Sequence, residues 1–319
     1  MRLNRQKKTL ALLLSLVFIV GCQTGSLKTR DQIEKEKTNP YSSGTPLVID
    51  TQPEDPGTTA PIEDKEPPKV GVILSGGGMK SFAHIGVLKS FVAAKVPIHH
   101  IVGLEWGAVP AALYSLQGQV HDVEWKMFRL KEEELPSKGF FDSKVEADSI
   151  GKLDNFLNTA FGAEVSERAK VSFSCPTYSI KKKRLYWQRK GDFKDIIKRC
   201  LPYPPFFKDT QGFIADPFAL SDAVAHLKAR GSEIIIFVNV AEYGTIIDSK
   251  RRKNYLVEYL LWNEVRRQTG GKQKGIDYII SVDTAKKSLF DLSNKRQLVR
   301  DGQRAAFDKL MKIGDRYEF

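Results

Sequence analysis

Cysteine and histidine are scarce in this chain, three and five among 319 residues. His84, His99, His100, His121 and His226 show no His-Glu-x-x-His spacing, so no metal site is expected, and no cofactor is implied. Long apolar runs are lacking as well. The longest, Leu10 to Val20, is too short to cross a bilayer, which excludes a spanning helix at that point. From Gln23 to about Pro68 apolar periodicity is absent altogether, and Pro, Thr, Ser, Gly, Asp and Glu dominate. Such a stretch buries too little surface to offset its ordering entropy.

What is present at the N-terminus is an address. Arg2, Arg5, Lys7 and Lys8 precede the Leu10–Val20 run, the charge layout of a secretory signal covering residues 1–21. The run ends Ile19-Val20-Gly21-Cys22, which resembles the bacterial lipobox. That resemblance implies acylation of Cys22, with each buried methylene adding about 0.8 kcal/mol of membrane affinity. Residues 22–68 then read as a lipidated tether. As a flexible coil of about 46 residues it has a reach of roughly 40 Å. The expected setting is a bacterial cell envelope, at the periplasmic face of the outer membrane rather than at the inner one.

Of the net charge of +12, the tether carries −4 and residues 1–22 carry +4, which leaves +12 on residues 69–319. The folded part is therefore expected to meet anionic partners. Lys181-Lys182-Lys183-Arg184 and Lys250-Arg251-Arg252-Lys253 are the densest basic clusters. A solvated loop and a site for anionic lipid headgroups both remain open for them, and nucleic acid ranks below either.

The informative stretch is Val70 to Leu113. Val70-Gly71-Val72-Ile73-Leu74 reads as a strand covered on both faces, and Gly76-Gly77-Gly78 as a loop. A helix follows, with Phe82, Ile85, Leu88 and Val92 on one packed face. Ser75 and Ser81 read as turn or cap hydroxyls, and His84 as a half-buried structural histidine. A second strand near Ile101-Val102 leads into Gly103-Leu104-Glu105-Trp106-Gly107, the form of a nucleophile elbow with Glu105 at its apex.

The run Val72-Ile73-Leu74-Ser75-Gly76-Gly77-Gly78-Met79-Lys80, then His84-Ile85-Gly86-Val87-Leu88 and the elbow, resembles the patatin-like phospholipase family. The resemblance implies an α/β three-layer sandwich, a central and mostly parallel sheet with helices on both faces, over residues 69–319. It implies a serine–aspartate dyad, with Gly76, Gly77, Gly78, Met79 and Lys80 as oxyanion loop and Gly103 and Gly107 flanking the nucleophile. Here Glu105 stands at the serine position. Asp216 falls at the dyad acid, with Asp222 close enough to compete, and Pro217 and Phe218 replace the family's two small residues.

A carboxylate at that elbow faces the glycine-loop amides and the start of a helix, so it is expected to be held ionised and to fill the oxyanion hole. Trp106 is expected to narrow the acyl pocket. Two readings follow: a pseudoenzyme that binds a lipid-like ligand or a protein partner, or an acyl hydrolase in which Glu105 and Asp216 act without serine.

The remaining segments are coarser. Val120 to Glu164 reads as a cap-like insertion, and Val171 to Gly191 as a β-hairpin with a basic turn. Glu233 to Val240 and Ile276 to Val282 read as late strands, and Leu298 to Leu310 as a final helix. Tyr255 to Val265 reads as an amphipathic helix with a core-facing stripe. Pro110 is expected to cost one helical bond or to bend the helix slightly. Cys175 and Cys200 could pair in an exported protein, spacing alone does not decide, and buried free thiols are the default expectation.

Overall fold

A computed structural model describes residues 66–135, 147–204, 206–243 and 255–319, with the side chains of 255–259 and 261 left aside. The signal, Cys22, nearly all of the tether and the Lys250–Lys253 cluster lie outside the described residues. Asp64–Phe319 groups as one compact unit.

The sheet is built from β1 (Val70–Leu74), β2 (His100–Gly103), β3 (Ser172–Ser179), β4 (Arg184–Gln188), β5 (Phe213–Ala215), β6 (Ile234–Asn239) and β7 (Tyr278–Ser281). Their order is β4-β3-β2-β1-β6-β7, with β5 on β3. The pairings β1–β2, β1–β6, β2–β3 and β6–β7 are parallel, and β4 and β5 run antiparallel to β3. β1 and β6 are buried at every position, as central parallel strands must be when both faces carry helices.

Among the described residues the helices are α1 (Phe82–Ala93), α2 (Ala108–Gln117), α3 (Val120–Met127), α4 (Asp154–Phe161), α5 (Phe193–Cys200), α6 (Leu220–Ala229), α7 (Tyr255–Thr269) and α8 (Lys295–Tyr317). The two-residue period of the strands sorts their side chains between layers. Val70, Val72, Leu74, Ile234, Ile236 and Val238 join the core shared with α1 to α5 and α8. Ile73, Val102, Ile235 and Phe237 pack instead on Leu220, Ala223, Val224 and Leu227 of α6. The architecture is thus an α/β three-layer sandwich.

Several local expectations change. Helix α1 is buried nearly all round, and Val92, assigned to its packed face, is half exposed. The cause is α8, which crosses α1 so closely that a Cβ on Gly86 would overlap the Val299 carbonyl and one on Gly302 the Ala83 carbonyl. Segments α3 and α4 put Val123, Met127, Phe156, Leu157 and Phe161 into the main core rather than forming a separate cap. Pro110 is the third residue of α2, in the first turn, where its missing N–H would have no helical partner. Cys175 and Cys200, expected as free thiols, form a disulfide with Cα atoms 6.2 Å apart. Strand β3 and the end of α5 meet there, a proximity that lies beyond what spacing in sequence reveals.

Candidate functional site

The two loops of the site leave the C-terminal ends of adjacent strands. The Ser75 N–H donates to the Val238 carbonyl (3.0 Å), and the Ser75 hydroxyl accepts from the Val240 N–H (2.9 Å). His84 is fully buried, with Nε2 2.9 Å from the Ser75 carbonyl. A carbonyl only accepts, so Nε2 carries the proton; burial holds this ring down to about 4, neutral at ordinary pH. Serine and histidine therefore pin the glycine loop. Ser81, in contrast, has a buried hydroxyl with no hydrogen-bond partner and caps nothing.

Gly78 has φ 55° and the Met79 N–H donates to the Leu289 carbonyl at 2.7 Å, so the loop is clamped from the far end of the chain as well. At the elbow, Glu105 has φ 48°, a left-handed conformation that costs a non-glycine residue about 1–2 kcal/mol. A Cβ on Gly107 would lie 2.5 Å from the Ser75 carbonyl oxygen. The glycines are there because the two loops touch backbone to backbone.

Glu105 turns back into this junction. Its Oε2 accepts from the Gly77 N–H at 2.8 Å and the Gly78 N–H at 3.2 Å. The carboxyl therefore occupies the place where an ester oxygen would have to sit to use those amides. Dehydration raises its proton affinity above the usual carboxylate range, against the lowering effect of the Trp106, Gly77 and Gly78 amides. The direction is opposite to that expected from the amides alone, because enclosure outweighs them.

Asp216 follows β5 and is half-buried, whereas Asp222 is exposed in the first turn of α6. The Asp216 Oδ1 accepts from the Phe218 N–H at 3.1 Å, so this carboxyl is engaged by its own loop. Burial, with a further push from the Asp222 charge, raises its proton affinity. Between the two acids comes a residue that sequence reasoning missed, Tyr203. Its hydroxyl is buried without a hydrogen-bond partner, and burial plus the charges of Glu105 and Asp216 push the phenol well up. The signal for it was Pro202-Tyr203-Pro204, an aromatic ring framed by prolines just upstream of the Asp216 loop. Pro202 receives the Ala215 N–H at 2.6 Å, and that bond couples the two segments.

Gly76, Gly77, Gly78 and Glu105 form one wall of a pocket, and Tyr203, Phe206, Pro217, Trp262, Val265, Leu289 and Phe290 form the other. The free space between them is about 20 Å³, room for about one water. Trp106, expected to narrow this pocket, is not in its lining; it is buried in the main core. Trp262 of α7 does the narrowing instead. Leu260 on the same helix, expected in the core stripe, is 67% exposed. Lys80 is buried, its Nζ 3.1 Å from the Thr284 carbonyl and 5.2 Å from the centre of the Trp262 ring. Burial lowers it to about 7, against the pull of Asp283.

The five histidines include no metal-like group in the described residues. His99 Nδ1 faces the Val70 N–H, His100 Nδ1 faces the Ser232 hydroxyl, and His226 stacks on Trp187 at 3.9 Å. All three act in packing and local hydrogen bonding.

Residues 72–225 match the family model described as patatin-like phospholipase, a span that contains the glycine loop, Glu105 and Asp216. This stretch carries a patatin-like phospholipase domain. This patatin-like domain is 26% identical over 180 residues to the lysophospholipase NTE1 of Coccidioides immitis, a match covering 54% of this chain and 11% of that protein. It is 23% identical over 189 residues to the lysophospholipase nte1 of Emericella nidulans, covering 56% and 12%. The chain thus spans little more than a tenth of these relatives. The crystal structure of VipD from Legionella pneumophila aligns with a TM-score of 0.41 and 12% identity, covering 79% of this chain and 67% of that one.

Proposed function

We propose that this patatin-like domain works by binding rather than by turnover, as a pseudoenzyme held at a bacterial envelope membrane. The carrying observation is the Glu105 carboxyl on the Gly77 and Gly78 amides, which leaves space for a single water. An ester carbonyl has to displace that carboxyl before it receives any stabilisation, and attack by Glu105 itself would form a mixed anhydride. Loss of the nucleophile in a comparable hydrolase site lowers the rate by about 10⁶. The occupant is a lipid-like ligand or a protein partner that displaces part of the aromatic wall.

The envelope setting rests on the signal-like N-terminus and Cys22, and the Cys175–Cys200 disulfide supports it, because such bonds persist in oxidising compartments. Among the described residues no helix is long and apolar enough to cross a membrane. In this reading attachment is through acylation of Cys22. The outer membrane, on its periplasmic side, is the site we favour.

The room for one water beside Glu105 favours a second reading, general-base hydrolysis with Asp216 in support. The two separate on one experiment: ester and phospholipid turnover by the full chain, Glu105→Ser and Glu105→Gln. The parent is expected to stay at background, and Glu105→Ser, which vacates the amides and restores a hydroxyl, to gain slow ester hydrolysis. Parent turnover that vanishes in Glu105→Gln overturns the binding reading in favour of the second.

A further inference from the structure

The β3–β4 hairpin is left unexplained by the pocket. Strand β3 runs five residues past Ser174, its last partner on β2, so its tip projects about 17 Å beyond the end of that pairing. Because β1, β2 and β3 are parallel, the tip stands on the side of the sheet from which the glycine loop and the elbow emerge. It is also tied to the Asp216 loop, since β5 pairs Ser179 with Phe213 and Thr177 with Ala215. The projecting turn is Ile180-Lys181-Lys182-Lys183.

This turn is fixed in shape. The Ile180 N–H donates to the Gly212 carbonyl at 2.9 Å, the Lys182 N–H to the Ser179 hydroxyl at 3.3 Å, and Lys183 has φ 50°. What it presents is an apolar side chain beside four consecutive cations. Ile180, the first residue of the turn, is 49% exposed, and Lys181, Lys182, Lys183 and Arg184 follow it, all exposed. Arg184 donates to the Tyr186 hydroxyl at 2.8 Å and lies 4.8 Å from its ring, so the tyrosine stands half-buried just behind the tip. From Ile180 to Lys190 there are six cations and no acid. The nearby Asp209 is occupied by the Gly212 N–H at 2.9 Å.

A single exposed isoleucine is ordinary on a surface; this one adjoins four consecutive cations and a tyrosine, and a purely electrostatic partner gives it nothing to bury against. A surface that offers anionic charge outside and hydrocarbon beneath satisfies both features, with a tyrosine at the level of the headgroups. We propose that the β3–β4 hairpin docks on an anionic phospholipid bilayer, seating Ile180 among the acyl chains and turning the pocket side of the domain toward the membrane. The proposal is independent of whether the pocket turns over ester.

The test places an environment-sensitive fluorophore on Ile180→Cys in the full chain carrying Cys22→Ser; Cys175 and Cys200 are disulfide-bonded, so one thiol reacts. The control probe is on Ala229→Cys, exposed at the end of α6 that leads to the opposite edge of the sheet. Vesicles of phosphatidylglycerol with phosphatidylcholine are expected to blue-shift the probe at 180 and shield it from an aqueous quencher. Pure phosphatidylcholine is expected to do neither, and the probe at 229 to stay unchanged in both. Replacing Lys181, Lys182 and Lys183 with serine is expected to raise the lipid needed for half-maximal shift about 100-fold, roughly fivefold per lysine. These side chains are exposed, so folding is unaffected. No shift with anionic vesicles, an equal shift with neutral ones or at position 229, or a shift with an RNA and none with vesicles overturns the proposal.

Discussion

The two walls of the pocket are built from different materials. The wall of Gly76, Gly77, Gly78 and the elbow is backbone against backbone, with Gly107 and Gly78 admitting no side chain. The facing wall is side chains: Tyr203, Phe206, Pro217, Trp262, Leu289 and Phe290, drawn from four separate stretches of sequence. The first keeps the geometry of an acyl-transfer site while one side chain, Glu105, reverses its use. The second has rings where an acyl group would lie. A backbone wall resists change because any added atom meets a carbonyl; a side-chain wall is remade by substitutions that leave the strands in place.

The sharpest break of this comparison is Gly107→Val. The new Cβ would lie 2.5 Å from the Ser75 oxygen, which is bonded to the His84 ring, and 2.6 Å from the Leu74 oxygen, which accepts from the Leu104 N–H, so neither can retreat without breaking a hydrogen bond. A cost of about 3 kcal/mol or more is expected, read as a collapse of the denaturant midpoint. A comparable large residue on the facing wall, where side chains yield, is expected to cost far less.

The second wall hangs from the sheet by the Cys175–Cys200 disulfide, placed three residues before Tyr203. Replacing both cysteines with alanine is expected to lower stability by about 3.5 kcal/mol on the loop-entropy account of a separation of 25 residues. The glycine wall is expected to be insensitive to this change. Hydrogen exchange at the Gly77 and Gly78 amides should therefore rise only as far as global opening does, while the 201–216 segment should exchange faster.

The smallest effect is the pH dependence of Glu105. Its proton affinity is higher in the folded chain than the ordinary value of 4.5, so the folded state keeps this proton to higher pH than the unfolded state. Its contribution is fully present below 4.5 and is lost as pH rises through the folded value. Lys80 has the opposite trend, held down to about 7 from 10.5, so it favours folding as pH rises between those values. Subtracting Glu105→Gln from the parent isolates the carboxyl: the variant is expected to lose less stability than the parent as pH rises from 4.5. An equal loss in both would mean that the carboxyl is not enclosed as described.

The sheet and the backbone wall were legible in sequence because steric demands write themselves locally. All-apolar pentapeptides, clustered glycines and Gly103-Leu104-Glu105-Trp106-Gly107 each carry their geometry within a few residues. The facing wall was not. Trp262 packs in a core cluster with Val265, Ala241 and Leu289, as the stripe of α7 predicts, but the pocket that it also lines does not show in that spacing. Trp106 was assigned to the pocket because it adjoins Glu105, yet the short helical turn at Glu105–Gly107 directs it to the other side. The disulfide and the α1–α8 crossing escaped for the same reason, since both are encounters between distant segments.

That crossing bears on the order in which the molecule is made. The oxyanion loop near residue 78 is held by the carbonyl of Leu289, the buried Lys80 by the carbonyl of Thr284, 204 positions away, and the helix that follows the loop by α8. A chain emerging from its N-terminus presents the glycine loop early and the groups that shape it last. Closing loops over such separations costs entropy before the contacts repay it. The pocket is therefore a property of the finished polypeptide, and a chain stalled before α8 carries the motif without the site.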